Sequence, residues 1–186
     1  MEESISTYKR EVVKMVVYIG IDPGQQGAVT LIEDITKDKI TIYDMPLLPQ
    51  KGIDGKELHN LFLSIKRDYK SIFCILEKAQ AMPGQGSVGG FNYGVGYGKI
   101  LSSLEVNQIP FQEVHPMRWK KEFGITSKRG KTEPKMTVAE KKQLSLGIAL
   151  KLFPKQSHFF HTERGKLLDG RVESLLLAEY ARRIHK

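Results

Sequence analysis

The sequence predicts an α/β layered domain, and three observations predict it. Three strand-like runs come first, joined by connections too short to hold a helix. Helical periods then alternate with two further strand-like runs. Helical patterns fill the C-terminal third, and a chain of this order builds layers of helix on sheet.

Taken in order, residues 1–14 mix Glu2, Glu3 and Glu11 with Lys9, Arg10 and Lys14 and contain no apolar stretch of a leader type. They are expected to be an N-terminal extension, and residues 15–186 a single domain; the cytoplasm of a bacterium or a phage-infected cell is the expected location. Val16 to Ile21 is an almost unbroken apolar, β-branched run, the pattern of a central strand. Ala28 to Ile32 and Ile40 to Tyr43 follow, with Pro23-Gly24 and Lys37-Asp38 as turns, so an antiparallel meander is predicted. Asp54 can cap a helix reaching about Tyr69, with Leu58, Leu61, Phe62 and Ile65 at helical spacing. Ile72 to Leu76 is another buried-type strand, ending at Glu77. A glycine-rich loop from Met82 to Gly90 leads to a helix over about Phe91–Asn107, then a short strand at Phe111–Val114. Pro116 opens a short helix carrying Trp119 and Phe123, and Gly124–Lys135 is a polar, basic loop. Helices are predicted over Met136–Phe153 and from Leu168 to about His185, with a loop at Pro154–Lys166.

The chain has 186 residues with 29 Lys+Arg against 21 Asp+Glu, a net charge of +8. That length suits one domain with a core of its own. No stretch approaches about 20 apolar residues, so no membrane partner is expected. One cysteine, Cys74, excludes an internal disulfide framework and a Cys-rich zinc site. The basic excess is confined to residues 115–186, which hold seventeen basic and seven acidic residues, whereas residues 1–50 hold five and eight. Such asymmetry suits a polyanion partner, most often nucleic acid, or a surface tuned for solubility.

Four carboxylates stand where chemistry would need them. Asp22 follows the first strand, a common place for sites in open sheets and equally for a turn-opening Asx residue. Glu77 ends the fourth run. If those two strands are neighbours, the acids face each other, which is costly unless a cation neutralises them; otherwise Glu77 is a solvated strand end. Asp169 and Glu173 are four apart on one helix face. At about 100° per residue, Glu173 falls about 40° from Asp169, with Leu176 and Tyr180 about 20° to either side of Asp169. Both acids therefore lie within the apolar stripe, where a charge needs compensation; Asp169 could instead serve as a first-turn acid. Four carboxylates without His or Cys suit hard cations, Mg²⁺ with Mn²⁺ as substitute, rather than zinc. Two such ions per site can clamp the attacking and leaving oxygens of a phosphoryl displacement. No small-molecule cofactor is expected.

The sequence resembles the RuvC family of Holliday-junction resolvases, within the ribonuclease H-like superfamily, and most the group of phages and plastids. The residues that carry the resemblance are Ile19-Gly20-Ile21-Asp22-Pro23-Gly24 with Gly27-Ala28, Leu76-Glu77, Met82-Pro83-Gly84-Gln85-Gly86, then Phe91, Gly94, Tyr97 and Gly98. Pro116, Trp119, Lys120, Leu152-Phe153-Pro154 and Asp169-Gly170-Arg171-Val172-Glu173-Ser174-Leu175-Leu176 complete it over about residues 16–181. The resemblance implies a five-stranded mixed sheet, three strands antiparallel and two parallel, with helices on both faces. It implies that Asp22, Glu77, Asp169 and Glu173 are catalytic metal ligands. It also implies a homodimer acting on a four-way DNA junction. The bacterial resolvases space the last two acids three apart; here they are four apart.

Between Arg118 and Lys142, Lys120, Lys121, Lys128, Arg129, Lys131, Lys135, Lys141 and Lys142 also stand as candidate phosphate contacts. Lys166 and Arg171 flank Asp169 and could hold phosphate or balance the acids. Gln80, Met82 and Gln85 follow Glu77 and are candidates for the junction centre. Phe91 and Tyr93 could stack on unpaired bases or pack in a core or dimer contact. Trp119 is expected to be a packing anchor, and His115, His158 and His161 to stay outside the chemistry. The sequence thus predicts a metal-dependent, structure-selective endodeoxyribonuclease that resolves junctions by paired symmetric nicks. Its rivals are a related nuclease acting on flaps, branched DNA or RNA–DNA hybrids, and a catalytically silent junction-binding protein. A sugar-kinase-like ATPase, which shares the Gly-Ile-Asp-x-Gly opening, needs a second domain for which this chain has no room.

Overall fold

The computed structural model describes residues 16–34, 39–80, 84, 86–125 and 135–185. One sheet holds β1 (Val16–Asp22), β2 (Ala28–Glu33), β3 (Ile40–Asp44), β4 (Ser71–Glu77) and β5 (Phe111–Val114), ordered β3-β2-β1-β4-β5. Short connections hold β1, β2 and β3 antiparallel. Helices α1 (Gly55–Asp68) and α2 (Ser87–Val106) carry the chain back across the sheet, so β4 lies parallel to β1, and β5 parallel to β4. Ile21 pairs with Leu76, so β1 and β4 end level, and Asp22 and Glu77 emerge side by side.

Alternation of side chains along the strands supplies two cores. Tyr18, Ile32, Ile75 and Val114 pack against Trp119 of α3 (Pro116–Glu122), Leu146 and Ala149 of α4 (Val138–Leu152), and Leu175 and Ala178 of α5 (Asp169–Ile184). On the opposite face, Val17, Ile19, Ile21 and Leu76 pack against Leu58 and Phe62 of α1 and Ile100 and Leu104 of α2. The expected mixed sheet with helices on both faces is present.

Helix α5 lies between the sheet and α4 and is buried almost throughout from Gly170 to Ala181. Its apolar positions therefore run round most of the helix, so the stripe does not by itself aim the two acids. They are placed by standing in its first two turns. Glu179 is the most buried acid of α5, at 2% exposure. It accepts from Arg182 at 2.7 Å and from Arg183 at 3.0 Å, a structural pairing within the helix. Close approach of α5 to β1 depends on Gly20, where a Cβ would stand 2.2 Å from both Ala178 N and Ser174 O. The N-terminus of α5 meets the β1–β2 turn at Gly170, whose Cβ would lie 2.0 Å from Gln26 O.

The helix ends follow local chemistry. Asp54 caps α1, accepting from Lys56 N at 2.9 Å. Thr137 and Glu140 form a capping box on α4. Helix α2 begins at Ser87, a turn before the expected Phe91, and Pro154–Phe159 forms a 3₁₀ turn inside the expected loop. The expected extension, residues 1–14, and most of the 124–135 loop fall outside the described residues. Among the described residues, no helix is long and apolar enough to cross a membrane.

Candidate metal centre

Three elements converge at one edge of the sheet. β1 ends in Asp22, β4 ends in Glu77, and the second turn of α5 presents Glu173. One carboxylate oxygen from each lies within 4.8 Å of the other two. Burial pushes the Asp22 carboxyl well above the usual range, and the Glu173 and Glu77 charges add to it, against a smaller opposing pull from Lys120. Burial likewise raises Glu77, with Lys120 and the Trp119 hydrogen bond opposing and Glu173 adding. Three carboxylates this close do not all ionise freely without a cation.

Helix α3 supplies partial compensation from two consecutive residues. Trp119 Nε1 donates to Glu77 Oε2 at 2.7 Å, and Lys120 Nζ donates to both oxygens of Glu173 at 3.0 Å. The Lys120 ammonium also lies 4.9 Å from the centre of the Trp119 ring. Lys120 stays above the ordinary lysine range: desolvation pulls it down, but Glu173, Glu77 and Asp22 together outweigh that. Trp119 is the packing anchor expected from the sequence, at 0% exposure, but it also bonds a site acid. No local sequence pattern signals that second role, because the bond joins residues 42 apart.

Asp169 stands outside the trio. It begins α5 and pairs with Lys142 Nζ at 2.5 Å. Arg171 is turned to structural work. Its guanidinium grips both oxygens of Asp44 at 2.6 Å and donates to Phe159 O at 3.0 Å, strapping α5 to the end of β3. That bond holds the Asp44 carboxyl below its usual range. Tyr93 of α2 faces the acids. Burial, then the charges of Asp22 and Glu77, push its hydroxyl up to about 12. Gln80 is half-buried just beyond β4, and Phe91 is 71% exposed. Tyr97 instead donates to Glu113 and packs against the core of α1 and α2. Lys121, Lys135 and Lys166 are exposed, and Lys141 and Lys142 half-buried at the start of α4. Met82, Gln85, Lys128, Arg129 and Lys131 lie outside the described residues. His115 caps α3, accepting from Met117 N at 3.2 Å, and His158 and His161 are exposed.

Three carboxylates in reach of one point, without imidazole or thiolate, fit a hard, oxygen-seeking divalent cation. No family model and no curated protein matches the sequence. Solved structures do match. The chain is similar to Thermus thermophilus RuvC in complex with a Holliday junction substrate, with a TM-score of 0.52 and 16% identity, covering 92% of this chain and 96% of that one. It is similar to a further T. thermophilus RuvC structure with a TM-score of 0.51 and 15% identity over the same shares. The fold is thus RuvC-like, of the ribonuclease H-like type.

Proposed function

We propose that this chain is a divalent-cation-dependent, structure-selective endodeoxyribonuclease that resolves four-way DNA junctions by paired symmetric nicks. The observation that carries the reading is the Asp22, Glu77 and Glu173 trio, gathered within 4.8 Å at the strand ends of a RuvC-like fold. A solved neighbour in complex with a Holliday junction supports the choice of substrate. Asp22, Glu77 and Glu173 would hold Mg²⁺, or Mn²⁺ in its place, with Asp169, which pairs with Lys142, as a fourth oxygen donor. Such ions, when bound, polarise a phosphodiester and stabilise the charge that develops on the attacking and leaving oxygens. The residues of the chain orient and neutralise. Lys120 balances Glu173, and the Tyr93 hydroxyl offers a neutral donor beside the acids. Lys121, Lys135, Lys141, Lys142 and Lys166 supply the salt-dependent part of DNA affinity.

The active form we propose is a homodimer, since paired nicks across a symmetric junction call for a two-fold axis. The face that supports it is on α2, where Val88 and Phe91 are 72% and 71% exposed and Val95 45%. Beside them, Gly90, Gly94 and Gly98 present a stripe with open space where side chains would stand. An exposed apolar patch of that kind marks an interaction site.

The test is cleavage of a labelled immobile four-way junction beside duplex, flap and RNA–DNA hybrid, with Mg²⁺ and with EDTA. The expected result is Mg²⁺-dependent nicking that prefers the junction, abolished in Asp22→Asn and Glu173→Gln with junction binding retained. Equal cleavage of flaps or hybrids would give the reading to a related nuclease. Junction binding without nicking under any divalent cation would make the protein a binder only.

A further inference from the structure

We infer that Trp119 is a positioning residue for the cation site: its indole N–H fixes the Glu77 carboxylate in place before any cation arrives. The inference rests on the metal centre proposed above and assigns a role to a fully buried side chain outside the carboxylate trio. An indole offers one donor and no acceptor. At 2.7 Å from Oε2, that donor restricts the rotation of the carboxylate about its terminal bond. The ring itself has nowhere to go. Trp119 is fully buried, with an edge contact to Phe123 at 6.2 Å between ring centres. Its helix is also tied to the strand that carries the acid. Glu77 pairs with Val114 of β5, and α3 opens two residues later at Pro116.

The two consecutive α3 contacts differ in kind. Lys120 holds Glu173 by charge, so a divalent cation competes with it for the same oxygens. Trp119 holds Glu77 with a neutral donor, which remains compatible with a cation on the other side of the carboxylate. Outer-sphere partners of this type raise metal affinity by restricting the ligand, and their loss commonly costs about ten- to hundred-fold.

The chain contains a single tryptophan, which makes the test direct. Biosynthetic replacement of the Trp119 indole by benzothiophene keeps the shape of the ring and removes only the N–H. Trp119→Phe is the simpler companion, at the cost of a cavity. Mn²⁺ binding to the full chain without DNA is then measured by calorimetry, with circular dichroism and melting to verify the fold. In parallel, 5-fluorotryptophan at position 119 gives one ¹⁹F resonance. The expected results are a roughly ten-fold or greater loss of Mn²⁺ affinity in the benzothiophene protein at unchanged fold. The ¹⁹F resonance is also expected to move saturably with Mg²⁺ and to start from a different position in Glu77→Gln. Mn²⁺ affinity equal to that of the unmodified protein would overturn the positioning role and leave the metal centre standing. Absence of saturable Mn²⁺ binding in the unmodified protein would remove the centre and the inference together.

Discussion

A methyl group at Gly20 would drive apart the two elements that meet at the acids. In Gly20→Ala the new Cβ stands 2.2 Å from Ala178 N and Ser174 O and 2.7 Å from Leu177 C, whereas ordinary contact begins near 3.4 Å. All three neighbours are helix backbone, so no rotamer change relieves the overlap. β1 and α5 must separate by about 1.2 Å in that direction. Overpacking of a core costs about 1–3 kcal/mol, and an immobile partner puts this case near about 3. At about 2–4 °C per kcal/mol for a chain of this size, the melting temperature should fall by about 6–12 °C. The displacement also reaches the site. Asp22 is two residues beyond Gly20, and Glu173 adjoins Ser174. A misplacement of about 1 Å can cost about a hundred-fold in rate. The assay is thermal denaturation followed by circular dichroism, with Mn²⁺ affinity measured on the same sample. Gly147→Ala in α4, where a Cβ meets nothing within 4 Å, is the control and should gain up to about 1 kcal/mol. A Gly20→Ala protein that melts within about 1 °C of the original and binds Mn²⁺ equally would refute the packing argument.

Two further outcomes test other parts of the structure. The Arg171 bond depresses the Asp44 carboxyl, so its stabilisation is fully present above the unfolded carboxyl range and lost as pH falls through the lower folded value. Asp44→Asn should therefore melt below the unmodified protein at pH 7, and the difference should shrink towards pH 3; a difference independent of pH would exclude the ion pair. Phe91→Glu on the exposed face of α2 should shift the proposed homodimer to monomer by analytical ultracentrifugation while the melting of the monomer changes little. An unaltered sedimentation coefficient would move the dimer contact elsewhere.

Much of the fold was legible because the strands obey simple rules. Val16–Ile21 and Ile72–Leu76 read as central strands since both faces of the sheet are covered, and their level ends come from the register that pairs Ile21 with Leu76. The start of α2 was less legible. Ser87 to Gly90 have poor helix propensity, and the helix there is set by its continuation rather than by those residues. Asp22 and Glu77 were identifiable as candidates by their positions at strand ends, and Asp169 and Glu173 by their place within the apolar stripe of the last helix. Their detailed partners were not. The Trp119–Glu77 bond joins residues 42 apart and depends on how α3 docks, which no local pattern records. The same holds for Lys142 with Asp169 and for Arg171 with Asp44, 127 residues distant. Charge count alone could not tell a lysine held by an acid from one open to a phosphate.

The Lys120 ammonium has a consequence for the order of assembly. Two of the three clustered acids already have a partner on α3, so charge repulsion is partly offset before any metal is present. Folding and metal loading are then separable events, unlike those of small domains that exist only around their ion. A chelator should empty such a protein without unfolding it. The added cation then contributes stability only by mass action, about 2.7 kcal/mol at a hundred times its dissociation constant. On the proposed function, such a protein would be made, stored and transported intact in its inactive form, and ambient divalent cation would set when it starts to cut.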